Sequence, residues 1–157
     1  MIDITIYETG SGGDANLLGS DLEQTDSFFN MVYLAFFGGN VEASTTGNEV
    51  ESEQRFDWWG NSILLENDKE LQFNSETERT LNNVAINSEG RSLIEESAKA
   101  DLNFMNNFAN IEVLVTLENA NKVSIYVNLT ELSNQENKNF QFIWDASKSE
   151  LIESIIL

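Results

Sequence analysis

The spacing of apolar residues changes abruptly at Asn110, and this change constrains the fold more than any other feature of the chain. Before it, Ile94, Ala98, Leu102, Met105 and Ala109 recur every three or four positions, which places them on one stripe of an α-helix. After it, Ile111, Val113, Val115 and Leu117 alternate with other residues. Beyond Asn119-Ala120-Asn121 the same alternation returns as Val123, Ile125, Val127 and Leu129. Successive side chains of a strand point to opposite faces, so the two runs predict a β-hairpin with one buried face. An amphipathic helix of about 16 to 18 residues then feeds directly into that hairpin, and Glu95 and Lys99 are spaced for an ion pair on its exposed side.

Shorter signals fill in the remainder. Ile2, Ile4 and Ile6 alternate with Asp3, Thr5 and Tyr7, which predicts a strand ending at Thr9, and Gly10 to Asp14 supply turn residues. Ser20-Asp21-Leu22-Glu23 has the form of a capping box, so a first helix is expected from Asp21. It would carry Phe28, Phe29, Val32, Tyr33, Phe36 and Phe37 into the core and end at Gly38-Gly39. Asn40 to Arg55 is small, polar and acidic and reads as a surface loop.

A second capping box, Ser75-Glu76-Thr77-Glu78, predicts a helix through Leu81, Val84, Ala85 and Ser88, which Gly90 closes or kinks. Phe140, Phe142 and Trp144 predict one more strand, and Leu151 to Leu157 a short apolar tail or helix. The fold class expected is α+β: a small, mostly antiparallel sheet with about three helices packed on one face.

Composition limits the chemistry. The chain has neither His nor Cys, which removes the commonest general base, the commonest transition-metal ligands and every thiol nucleophile. Its formal net charge of −19 repels phosphate backbones and anionic headgroups, so neither nucleic acid nor a membrane surface is expected as a partner. No signal segment or bilayer span is expected either.

Paired carboxylates could support hydrolysis, but 27 acids guarantee some such pair and make the signal empty. Asn67 to Glu70 lacks the glycine of a calcium loop, and Gly10 to Asp14 lacks the Lys-Ser/Thr of a phosphate loop. Asn128-Leu129-Thr130 matches a glycosylation sequon by chance. No catalytic residue, metal ligand or cofactor is therefore assigned. Trp58 and Trp59 stand side by side before Gly60, either as buried core rings or with one ring exposed to anchor a partner.

Asp57-Trp58-Trp59-Gly60-Asn61, together with the helix-to-hairpin run Leu102 to Leu129 and an N-terminal Met-Ile-Asp-Ile strand, resembles the baseplate wedge protein of Mu-like contractile-tailed phages. The similarity covers Met1 to Thr130. Where that family often continues Ser-Arg-Leu-Trp, this chain reads Asn61-Ser62-Ile63-Leu64.

The resemblance implies a wedge-like domain over residues 1–130 and a C-terminal extension over 131–157 with one further strand and a short apolar tail. It also implies a non-enzymatic virion component of the tail baseplate, assembled in the host cytoplasm. Such a component joins other wedge proteins, the tail tube or hub and sheath subunits in a hetero-oligomer and helps to start sheath assembly. The residues it nominates for partner binding are Asp57, Trp58, Trp59, Gly60 and Asn61, with Val113, Val115, Val123, Ile125 and Val127 of the hairpin, whose unpaired edge could accept a strand. Phe140 to Trp144 would then be a covering or donated strand. Two other classes fit the composition: an acidic DNA mimic that inhibits a nucleic-acid-binding enzyme, and a carboxylate-dependent tail hydrolase.

Overall fold

The N-terminal isoleucine alternation does not make one strand. In the computed structural model, which describes residues 2–8, 13–15, 17–39, 63–64, 67–68 and 71–157, it is divided at Thr5. The halves are β1 (Ile2–Ile4) and β2 (Ile6–Glu8), and Thr5 between them donates its N–H to the Glu23 carbonyl at 2.8 Å. They pair with different antiparallel partners, β2 with β3 (Gly13–Ala15) and β1 with β6 (Gln24–Asp26). Between these, β4 (Leu17–Leu18) pairs with β5 (Asp21–Leu22). Ile2 is 72% exposed, so the buried face expected here is absent.

The same pairing moves the start of the first helix. Residues 21–26 are taken up by β5 and β6, so Ser20 caps nothing and α1 (Ser27–Phe37) begins six positions later than Asp21. Asp26 opens α1 by accepting the Phe28 N–H at 2.9 Å. Nine of its eleven residues are buried, so α1 has no broad solvated face and its aromatics are core, as their spacing implies. It stops at Gly38-Gly39: a Cβ on Gly38 would lie 2.3 Å from the Leu34 carbonyl oxygen, and Gly39 takes φ 104°.

The contacts divide the chain into Met1–Ser75 and Glu76–Leu157, not at residue 130. The second unit holds α2 (Glu76–Asn83), α3 (Ser88–Asp101), a 3-10 turn (Asn103–Asn107), β7 (Ala109–Leu117), β8 (Lys122–Glu131), β9 (Asn137–Asp145) and β10 (Glu150–Ile156). The chain is therefore α+β. Its four long strands form one antiparallel sheet in the order β10-β9-β8-β7. Helix α3 packs on β7, α2 packs on α3, and α1 belongs to the other unit.

Cross-strand register builds the core of this unit. Val113 faces Val127, which faces Phe140; Val115 faces Ile125, which faces Phe142; Leu117 faces Val123, which faces Trp144. Apart from Leu117, every one of these side chains is buried, and so is the helical stripe Ile94, Ala98, Leu102, Met105 and Ala109. The hairpin and the third strand thus appear where the spacing places them, but the helix ends at Asp101 after 14 residues, short of the length expected, so that Met105 belongs to the 3-10 turn and Ala109 to β7. The residues after Glu131 are not an extension, because β9 is an inner strand and β10 closes the sheet as a strand where a tail or helix was expected. Alternation in Glu150–Ile156 is obscured by a bulge between Leu151 and Glu153.

The start of α2 is held from two further places. The Ser75 hydroxyl donates to the Phe36 carbonyl, and Asp101, at the far end of α3, caps the first turn. Asp101 accepts the N–H groups of Glu76 at 3.1 Å and Thr77 at 2.7 Å, and the Thr77 hydroxyl at 2.6 Å. Burial pushes the Asp101 carboxyl above its ordinary range against these three hydrogen bonds. Asp101→Ala leaves the two amides uncapped and is expected to cost about 1–2 kcal/mol in chemical denaturation. Gly90 neither closes nor kinks α2; it lies in the first turn of α3, where its N–H is accepted by Asn87 Oδ1 at 2.9 Å.

Candidate functional site

The five hairpin residues nominated for binding present no side chains to a partner. Val113, Val115, Val123, Ile125 and Val127 are all at most 7% exposed and belong to the core. What these five positions offer is backbone, and only on β7. Strand β8 is bonded on both sides by β7 and β9, and β9 by β8 and β10, so Phe140 to Trp144 covers the second edge of the hairpin as an inner strand and is not a donated one. Asp57, Trp58, Trp59, Gly60 and Asn61 lie outside the described residues, as does the loop from Asn40 to Arg55.

Hydrogen-bond parity shows which β7 groups face outward. Glu118 donates its N–H to the Lys122 carbonyl at one end of the hairpin, and Leu132 donates to the Phe108 carbonyl at the other, each at 2.9 Å. In an antiparallel ladder such bonded positions recur every second residue. The even-numbered residues of β7 therefore bond to β8. The odd-numbered ones, Ile111, Val113 and Val115 among them, turn their N–H and C=O away from it.

One of these outward positions is already occupied. Arg91 Nη1 donates to the Val115 carbonyl at 3.5 Å, and Glu95 accepts the Val115 N–H. Glu95 is itself held by Lys99 Nζ at 2.6 Å, the ion pair its spacing predicts, and by Arg91 at 3.2 Å. Three residues one helical turn apart on α3 thus form a clasp over a single position of the strand edge. Covering an edge with charged side chains is a recognised protection against unwanted strand pairing. No comparable clasp meets Ile111 or Val113 among the described residues.

Beside these positions is an open groove of about 720 Å³ lined by Lys99, by residues 111–114 of β7, by parts of β8 and β9, and by Leu157. Glu112, Asn128 and Asn139 lie in one cross-strand row, in which Asn128 Nδ2 donates to Asn139 Oδ1 at 2.8 Å. Leu114 is 55% exposed in the next row, beside Tyr126, whose hydroxyl accepts from Gln141 Nε2 at 3.0 Å. The opposite sheet edge is less suited to pairing, because β10 carries the bulge together with Glu150 and Glu153. Among the described residues no group of three or more acidic side chains is arranged to hold a metal ion. Nor is any helix among them long and apolar enough to cross a membrane.

The clasp responds to acid. The hydrogen bond from Lys99, aided by the Val115 N–H and by the charges of Lys99 and Arg91, holds the Glu95 carboxyl below its ordinary value of 4.5. A carboxyl lowered on folding contributes stability that is fully present above its unfolded value and is lost as pH falls through the folded one. Asp145, held below its ordinary range by the Ser147 hydroxyl, acts in the same direction. Exchange protection of the Val115 amide, corrected for intrinsic rate, is expected to be constant from about pH 6 to 8 and to fall below about pH 4. The Ile125 amide on the inner strand is the control.

In comparisons with protein-family models, with curated proteins and with solved structures, nothing matches this chain.

Proposed function

We propose that this chain is a non-enzymatic assembly component that acts by being docked to neighbours through the free edge of its four-stranded sheet. In its specific form, suggested by the likeness of Asp57 to Asn61 and of the helix-to-hairpin run, it is a wedge component of a contractile-tail baseplate. It contacts other wedge subunits, the tube or hub and the sheath, and helps to start sheath assembly.

The observation that carries the reading is the state of β7: a long end strand whose β8-facing side is satisfied, whose alternate side chains Ala109, Val113 and Val115 are buried, and whose outward backbone groups at Ile111 and Val113 have no partner among the described residues. An edge of this kind gives affinity through main-chain bonds and needs no catalytic groups. The charge agrees with neighbours of a different kind. Copies carrying −19 repel one another, whereas a basic neighbour is drawn in.

The test is reconstitution with purified wedge, tube and sheath-ring subunits of a contractile tail. Bound chain is expected to show slowed amide exchange at Ile111 and Val113, and its capture is expected to weaken as salt is raised. Capture with unchanged exchange at both amides would refute docking through this edge. Turnover of a small compound or of cell-wall material by the pure chain would refute the non-enzymatic reading altogether.

A further inference from the structure

We infer that the clasp of Arg91, Glu95 and Lys99 sets a stop on the β7 edge, and that the stretch before it receives an extended, basic-then-apolar peptide segment of the partner. This rests on the assembly reading above and specifies the chemistry and register of that contact.

The register follows from which outward groups have no partner among the described residues. An added strand bonds to every second residue of β7, at Ile111 and Val113, and the next such position, Val115, is filled on both its N–H and its C=O by α3 side chains. Strand addition therefore ends before Val115 unless the clasp opens. The clasp is cross-braced, since Glu95 is bonded to Arg91, Lys99 and Val115 together. Only a short segment, pairing with the Ala109-to-Leu114 half of β7, fits without displacing it.

The chemistry follows from the side chains flanking that half. On the open face of the sheet, Glu112 and Leu114 stand two residues apart, so residues two apart on an added strand lie beside them. Glu112 has no ion pair among the described residues, while the nearby Lys99 is already committed to Glu95. A Lys or Arg beside Glu112 gains an opposite charge, and an aliphatic residue beside the half-exposed Leu114 covers apolar surface at the groove. The overall negative field favours the same basic segment and disfavours an acidic one.

The test uses the full chain, with capped tetrapeptides at millimolar concentration and residue-resolved amide exchange. The probes are Thr-Lys-Thr-Val, its reverse to allow for either strand direction, and versions with Glu in place of Lys. One of the Lys peptides is expected to slow exchange at Ile111 and Val113 at least tenfold at saturation, and both Glu peptides to fail. Glu112→Lys should reverse that preference. Val115 should exchange slowly in the free wild type and quickly in Glu95→Ala, in which a peptide longer by two threonines restores protection.

Equal slowing by Lys and Glu peptides would overturn the charge rule, and slow exchange at Val115 in free Glu95→Ala would overturn the stop. If the Lys peptides do nothing while assembled tail subunits still protect Ile111 and Val113, this inference fails alone. If the subunits leave those amides unprotected, the assembly reading fails with it.

Discussion

Gly90→Ala is expected to destabilise the second unit by about 3 kcal/mol or more, among the largest single effects available in this chain. A Cβ at Gly90 would lie 2.0 Å from the Ala85 carbonyl oxygen and 3.2 Å from its carbonyl carbon, and neither is the end of a flexible side chain. The backbone has to move. The Ala85 carbonyl accepts the Asn87 N–H at 2.9 Å, and Asn87 caps α3, so relief of the overlap disturbs the link between α2 and α3 and the seating of Ile94 in the core.

The measurement is exchange of the slowest β8 amides, which open only with the whole unit. A loss of about 3 kcal/mol accelerates them by more than about a hundredfold. Glu89→Ala, an exposed neighbour in the same turn, is expected to stay within about 0.5 kcal/mol of wild type. Equal effects at the two positions would show that helix propensity, and not the close approach, decides.

Phe142→Ala is the second large effect, at about 3–5 kcal/mol. Phe142 is fully buried at the middle of the sheet, facing Ile125 on β8 and Ser154 on β10. Truncation removes its apolar contacts and leaves a cavity that paired strands on both sides cannot collapse into. Urea titration followed by far-ultraviolet circular dichroism measures the loss. A cost near that of an exposed site would mean that β9 is a peripheral strand, as the boundary at residue 130 implied. The structure instead makes residues 137–145 as central as the hairpin.

Legibility in the sequence tracked the length of the periodic signal. Thirty-odd positions from Ile94 to Leu129 repeat one of two periods, and there the hairpin and the Glu95–Lys99 pair appear in the structure as read, while the helix appears but ends at Asp101, before Met105 and Ala109. Short signals competed with alternatives of similar strength. Ser20 lost to Asp26 because residues 21–26 pair as strands, and the cap from Asp101 on the Glu76 and Thr77 amides had no local signal because that carboxylate is distant in sequence. Leu151 to Leu157 concealed a strand, since a bulge breaks the alternation that would reveal it.

The candidate site was less legible than the fold. Val113, Val115 and their neighbours were nominated for a hairpin edge, yet the same alternation that marks a strand also marks its buried face, so these side chains went to the core. Arg91 and Glu95 could be read as a helix pair, but not as groups reaching Val115, because nothing local to either residue specifies which strand lies beside the helix.

By itself the sequence determined the α+β class, the buried positions Ile94 and Ala98 of α3, the hairpin of β7 and β8, and the exclusion of histidine and thiol chemistry. These follow from side-chain periodicity and residue inventory, which are local or compositional properties. Only the tertiary structure decided that β9 lies inside the sheet, that Asp101 caps α2, and that β7 is the end strand of the described sheet, latched at Val115. Strand order and long-range capping depend on which surfaces meet after burial, and no spacing along the chain records that.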